Sequence, residues 1–230
     1  MYIATILLNF VSNKKIQMKV TIFGATGFSG QGILAEALKQ GHEVTILVRD
    51  ASKIPIKHKN LTIVEGNVLD QQTVASVLHH QEAVIQCLGV GGKGDGKPTT
   101  FISDATKVIV DEMQNQKIKR LIAMSNVGAG NSIAFQPWVF TKIILPYFMK
   151  WLKVIIEDKN RMEPIIMNSI LDWTIVRCPN IVDKLAKGTC NATLDGKGLK
   201  LSITLPDLSK FMVDQLNQTA FIKQAPSVSN

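Results

Sequence analysis

At 230 residues the chain fits one domain of ordinary size, and 46% hydrophobic against 19% charged residues excludes wholesale disorder. The formal net charge of +8 favours anionic partners: nucleic acid, headgroups or phosphorylated small molecules. The lysines are scattered, however, and no basic block, zinc-finger spacing or aromatic-basic signature accompanies them, so nucleic acid is not expected.

Residues 2–11 are mostly apolar, and Lys14-Lys15 follow them. That order is the reverse of a secretory signal, and the run is too short to span a bilayer. Residues 1–17 are read as an extension ahead of the fold, with Met18 a candidate native start. A short apolar run, 20–23, then reads as a buried parallel strand ending at Gly24. A helix over 30–40 carries Ile33, Leu34, Ala37 and Leu38 on one face and stops at Gly41. Strands follow at 43–48 and 61–64, then a helix near 71–78 and a strand at 83–88. A glycine-rich loop, 89–98, leads to a helix near 100–116 and a fifth strand at 120–124. Residues 138–169 read as mostly helical, with breaks at Pro146 and Pro164. A sixth strand spans 172–177, a short β element lies near 190–194, and a helix over 205–216 opens on Pro206-Asp207. Residues 218–230 form a C-terminal tail, of which the last ten are polar and are expected to fray. Strands alternating with helices predict a single α/β domain over 18–217, a Rossmann-type doubly wound, mostly parallel sheet with helices on both faces.

The turn Gly24-Ala25-Thr26-Gly27-Phe28-Ser29-Gly30 sits between the first strand and the first helix, the context that gives a glycine pattern meaning. Gly24 permits the sharp turn, Gly27 the approach of a diphosphate, and Gly30 close helix–strand packing. Unpaired amides and the helix dipole favour negative charge there, and Thr26 and Ser29 add hydroxyl donors. The spacing is GxxGxxG rather than GxGxxG. The end of the second strand chooses between cofactors: an acid would bind a ribose 2′-OH, an arginine a 2′-phosphate. Arg49 is the first polar residue there and Lys53 follows, which favours NADP(H), while Asp50 between them keeps NAD(H) open.

Phe23-Gly24-Ala25-Thr26-Gly27 and Glu43-Val44-Thr45-Ile46-Leu47-Val48-Arg49-Asp50 resemble the atypical short-chain dehydrogenase/reductases. The likeness is to the biliverdin reductase B/flavin reductase group, with the NmrA-like proteins nearby. Glu65-Gly66-Asn67-Val68, Cys87-Leu88-Gly89, Asp172-Trp173-Thr174-Ile175-Val176-Arg177 and Thr193-Leu194-Asp195-Gly196 extend the resemblance over about residues 18–217. It implies that Gly24, Thr26, Gly27, Phe28 and Ser29 hold the pyrophosphate. Arg49, Ser52 and Lys53 would surround the 2′-phosphate, Asn67 and Val68 would line the adenine, and Leu88 and Gly89 would pass under the cofactor. Ser125 and Asn126 would face the nicotinamide as the catalytic positions, and Pro179, Asn180 and Ile181 would cover its other side. The chain departs from the group in three motifs. Asn67 stands for an Asp, Ser125-Asn126 for a Thr-Ser pair, and Cys178-Pro179-Asn180 for Pro-Pro-His. The segment 135–154 is also longer.

Classical short-chain dehydrogenases pair a tyrosine with a lysine four residues later, lowering the tyrosine pKa for proton exchange. Here Tyr147 has Trp151 at that position and Lys150 at the third, leaving only a displaced pair. His42, His58, His79 and His80 map away from the strand tips. A planar conjugated acceptor needs no such acid, because it delocalises the charge and water supplies the proton. The reading is therefore an NADPH-dependent reductase of a flavin, a biliverdin-like tetrapyrrole or a quinone. The alternative is a catalytically weak NmrA-like sensor or regulator.

The apolar stretch from Trp138 to Ile156, interrupted by Lys142, Lys150 and Lys153, has three open roles: a helix packed on the sheet and lining the substrate cleft, a dimer or partner surface, or a membrane-surface helix. The glycine loop is either a surface loop or a flap in which Lys93 or Lys97 meets an acidic substrate. Cys87, Cys178 and Cys190 have no metal-ligand spacing and read as reduced thiols in a cytoplasmic protein, monomer or homodimer, without a metal.

Overall fold

The structure, a computed structural model, describes residues 16–90 and 96–230. Nearly all of the expected N-terminal extension, and Lys93 of the glycine loop, lie outside the described residues.

Strand β1 (Lys19–Phe23) shows why the first apolar run is buried on both faces. Val20 and Ile22 pack on one side, Phe23 on the other, and the buried Thr21 donates its hydroxyl to the carbonyl of Val77 at 3.0 Å. Helix α1 (Phe28–Lys39) begins two residues earlier than the periodicity predicts, because Gly27 is its N-cap. Then come β2 (Glu43–Val48), β3 (Leu61–Glu65), α2 (Gln71–Leu78), β4 (Ala83–Gln86), α3 (Phe101–Asn115) and β5 (Arg120–Asn126). Asp70 caps α2, its carboxylate accepting from the Gln72 amide at 3.2 Å.

After β5 the chain forms a short 3-10 turn, Gly130–Phe135, and a π-helical segment, Phe140–Phe148. Helix α4 (Lys150–Met167) follows. The expected break at Pro146 falls in the π segment, and the chain leaves it at Met149 with φ −124° and ψ 46°. The break expected at Pro164 does not occur: this proline lies in the last turn, and its carbonyl still accepts from the Asn168 amide at 3.0 Å. The remaining elements are β6 (Asp172–Cys178), β7 (Asn180–Val182), β8 (Asn191–Thr193), β9 (Ser202–Thr204), α5 (Leu205–Asp214) and β10 (Ser227–Ser229).

Among the described residues the main sheet runs β3-β2-β1-β4-β5-β6-β10-β8, parallel except where β8 meets β10, and β7 pairs with β9 in a small second sheet. One face of the main sheet is covered by α1 and α5 through Ile33, Leu34, Leu208 and Met212. The other is covered by α2, α3 and α4 through Val74, Leu78, Ile109, Met113, Met162 and Ile166. Strand order reverses between β1 and β4, which opens a crevice beyond their carboxyl ends.

The expectation of a frayed end is corrected by β10, which inserts between β6 and β8. Val228 is fully buried, and the Asn230 side chain donates to Asp207 at 2.5 Å and Thr204 at 3.2 Å. Polar residues are stable there because most of their buried groups find a partner: Ser229 accepts from the Lys200 amide at 2.9 Å, and the Ser227 hydroxyl is the exception.

Candidate cofactor site

The crevice is a cleft of about 400 Å³, the size of a small-molecule site. It is lined by Gly24, Thr26, Gly27, Phe28 and Ser29, by Arg49 and Lys53, and by Val68, Leu88, Gly89 and Asn126. Each of these eleven is a residue the sequence singles out, drawn together from the ends of β1, β2, β3, β4 and β5.

The glycines divide by what crowds them. Gly24 has φ +90°, and a Cβ there would stand 2.6 Å from the Cys87 carbonyl oxygen. A Cβ on Gly30 would fall inside the carbonyl of Gly24, so Gly30 lies behind the cleft and serves helix–strand packing. Gly27 differs from both: its φ is −75°, and the nearest atom to an added Cβ is the Gly24 oxygen at 3.4 Å. The protein itself leaves room at Gly27, so the space kept open there faces the cleft. No side chain caps α1, and no acidic residue stands in its first turn. Its leading amides therefore lack a side-chain acceptor and carry the positive end of the helix dipole. This cradle fits a dinucleotide's diphosphate.

At the end of β2, Arg49 and Lys53 both face the cleft. Asp50 is committed elsewhere: its carboxylate accepts from the Ser52 amide at 3.0 Å and the Ser52 hydroxyl at 2.5 Å. Those bonds hold its pKa below the usual range. Ser52 is thus turned to Asp50 and not to the cleft. Asn67 also works locally, accepting from the Leu69 amide at 3.0 Å, while Val68 beside it reaches the cleft wall.

The pair expected to face a nicotinamide is split. Asn126 lines the cleft. Ser125, one residue earlier on β5, points to the opposite side, because successive strand side chains alternate. Ser125 is 1% exposed, and its hydroxyl donates to Glu163 at 2.7 Å. Glu163 is in turn held by Arg177, through Nε at 3.1 Å and Nη2 at 2.6 Å. Pro179, Asn180 and Ile181 are likewise absent from the cleft wall: Asn180 and Ile181 belong to β7, which pairs with β9. Tyr147 is 71% exposed and outside the cleft, as is Lys150.

Helix α4 contributes Ile155, from the apolar stretch for which a cleft-lining role was one expectation, and Lys159, which the sequence reading did not single out. Lys159 is 2% exposed, and its ammonium donates to the carbonyls of Met124 at 2.7 Å and Leu88 at 3.2 Å. It ties the ends of β4 and β5 across the cleft floor. Burial pulls its pKa down to about 8. Burial pushes the neighbouring Cys87 thiol up to about 12, against the pull of Lys159, so it is not a nucleophile. The signal that could have found Lys159 is its spacing, four residues after Ile155 on one helix face.

Comparison with known proteins agrees with this geometry. A family model described as NAD(P)H-binding matches residues 24–219. YwnB of Bacillus subtilis is 27% identical over 75% of this chain and 76% of its own length. The photosystem II assembly factor Ycf39 of Synechocystis is 26% identical over 73% of this chain, which spans 46% of that longer protein. Among solved structures, ChuY of Escherichia coli O157:H7, an anaerobillin reductase, superposes with a TM-score of 0.73 at 19% identity, over 92% of this chain and 96% of that one. A short-chain dehydrogenase/reductase of Veillonella parvula in complex with NADP gives 0.74 at 19% identity, over 94% and 95%.

Proposed function

The chain belongs to the NAD(P)H-binding family, and from that premise we propose that it is an NADPH-dependent reductase of a planar conjugated acceptor: a flavin, a biliverdin-like tetrapyrrole or a quinone. The observation that carries this reading is a dinucleotide cradle facing a helix that offers Ile155 and Lys159 in place of a hydroxyl acid. The reduced nicotinamide, when bound, supplies hydride. The α1 amides with Thr26 and Ser29 hold the diphosphate, and Arg49 and Lys53 hold the 2′-phosphate. Leu88 and Gly89 form the floor, and Asn126 orients the ring's amide edge. Lys159 shapes that floor through the carbonyls it binds. Among the described residues the wall holds no tyrosine or histidine, and the Lys159 ammonium is engaged with the Leu88 and Met124 carbonyls, so an acceptor that spreads its charge and is protonated from water suits the site. A fold neighbour that is an anaerobillin reductase supports the same reading.

The test is absorbance at the NADPH band with purified protein and, in turn, FMN, biliverdin and a quinone. Turnover of any of them supports the reductase. A second reading, an NmrA-like cofactor sensor, is favoured by one observation: the Ser125 hydroxyl is spent on Glu163. Tight NADPH binding without turnover selects it, and no binding of NADPH or NADH in calorimetry overturns both.

A further inference from the structure

From residue 113 to residue 156 the chain holds no aspartate or glutamate, and Lys142, Lys150 and Lys153 fall within its most apolar part. The structure leaves much of that part uncovered. Trp138 is 69% exposed, Tyr147 71% and Phe148 77%, with Ile143 and Ile144 also open to solvent. Leu145 is the buried residue that anchors the π segment. Lys142 and Lys150 are exposed beside these side chains. Because α4 returns antiparallel to β5, its first turns and the π segment before it lie at the carboxyl end of the sheet, the side on which Ile155 enters the cleft.

We propose that residues 138–150 dock the protein on the surface of an anionic bilayer. The chemistry is that of an interfacial segment: tryptophan and tyrosine at headgroup depth, isoleucine and phenylalanine below, lysines against anionic lipid. Among the described residues no helix is long and apolar enough to cross a membrane, so the segment lies on the surface. A second copy fits less well, since an isologous contact sets this like-charged patch against itself, with no carboxylate in the segment to answer Lys142 and Lys150. The proposal is independent of the cofactor reading.

Sedimentation of the full chain with lipid vesicles tests it. The protein should pellet with phosphatidylcholine vesicles holding about 30 mol % phosphatidylglycerol and stay in solution with phosphatidylcholine alone, with a blue shift of tryptophan emission on binding. Trp138→Ser/Tyr147→Ser/Phe148→Ser and, separately, Lys142→Gln/Lys150→Gln should each weaken partitioning by about tenfold or more while keeping the wild-type circular dichroism spectrum. Should the aromatic variant misfold, the lysine variant decides. Failure to pellet with anionic vesicles, equal pelleting with both lipids, or partitioning that the lysine variant leaves unchanged overturns the proposal. So does self-association in ultracentrifugation that the aromatic variant abolishes, which would assign the face to a second copy.

Discussion

Ile155 and Lys159 stand one turn apart on α4 and both face the cleft. This is the spacing at which classical short-chain dehydrogenases carry a tyrosine and a lysine, so the lysine is in place and the phenol is not. The nearest tyrosine in sequence, Tyr147, lies outside the cleft. Tyr147→Phe should therefore leave the rate of acceptor reduction within about twofold, whereas loss of a general acid costs about a hundredfold or more. Single-turnover oxidation of NADPH measures it, and a loss of that larger size would make Tyr147 the proton donor.

Lys159 also sets a pH dependence of stability. Its folded pKa of about 8 lies below the ordinary 10.5, so between those values the unfolded chain holds a proton that the folded chain has released. Stability then rises with pH in that window, as the cost of a buried ammonium disappears. The raised thiols act oppositely: above the ordinary thiol value of 9.0 the unfolded chain loses protons that Cys87, held up to about 12, retains. Urea midpoints should increase between about pH 8 and pH 9 and level off beyond. Lys159→Met should abolish the increase; a variant that keeps it would assign the titration to another group.

Gly27 and Gly30 should separate binding from folding. Gly30→Ala drives a methyl into the Gly24 carbonyl and should cost several kcal/mol, about the upper range for a strained backbone site. Gly27→Ala meets only the Gly24 oxygen at 3.4 Å and should melt close to wild type. In the proposed cradle, though, that methyl occupies the diphosphate's approach, and NADPH affinity should fall about tenfold or more. Thermal melts and calorimetry on the two variants check this, and unchanged affinity in Gly27→Ala would remove the diphosphate from that turn.

What the sequence made legible was local. Gly24, Gly27 and Gly30 could be read because strand, turn and helix are contiguous, and the run 20–23, buried on both faces, was visible in the same way. Lys159 was hidden because its partners, Leu88 and Met124, are 71 and 35 residues away and meet it only through the crossover of α4. Ser125 was misdirected by a single step of strand parity, since the residue that reaches the cleft is Asn126. The strand β10 carried no signal, because Ser227-Val228-Ser229 is short and polar and pairs only through tertiary placement beside β6 and β8.

Cofactor choice should follow Arg49. Asp50 is bonded to Ser52, lies 3.8 Å from the Lys53 ammonium and does not line the cleft, so the side chain that offers an unshared charge to a ribose substituent there is Arg49. Arg49→Glu replaces a charge-assisted bond to a 2′-phosphate with repulsion, so NADPH affinity should drop by about tenfold to a hundredfold. NADH, without that phosphate, should bind within about threefold of wild type. Equal losses for the two would refute the assignment of the 2′-phosphate to this loop.

The Ser125–Glu163–Arg177 network decides whether Ser125 is structural. Arg177 and Glu163 are 2% and 1% exposed, so Glu163→Gln leaves a buried guanidinium without its counter-charge, and removing one partner of such a pair costs about 3–5 kcal/mol. Ser125→Ala removes one donor to the carboxylate at 2.7 Å, while both guanidinium bonds remain, and should cost about 1–2 kcal/mol. If the hydroxyl serves only this network, hydride transfer in Ser125→Ala should stay near the wild-type rate even as the urea midpoint falls. The reverse pattern, an unchanged midpoint with turnover lost, would mean that the serine swings from Glu163 into the cleft during reaction and would return it to the catalytic role that the family resemblance implied.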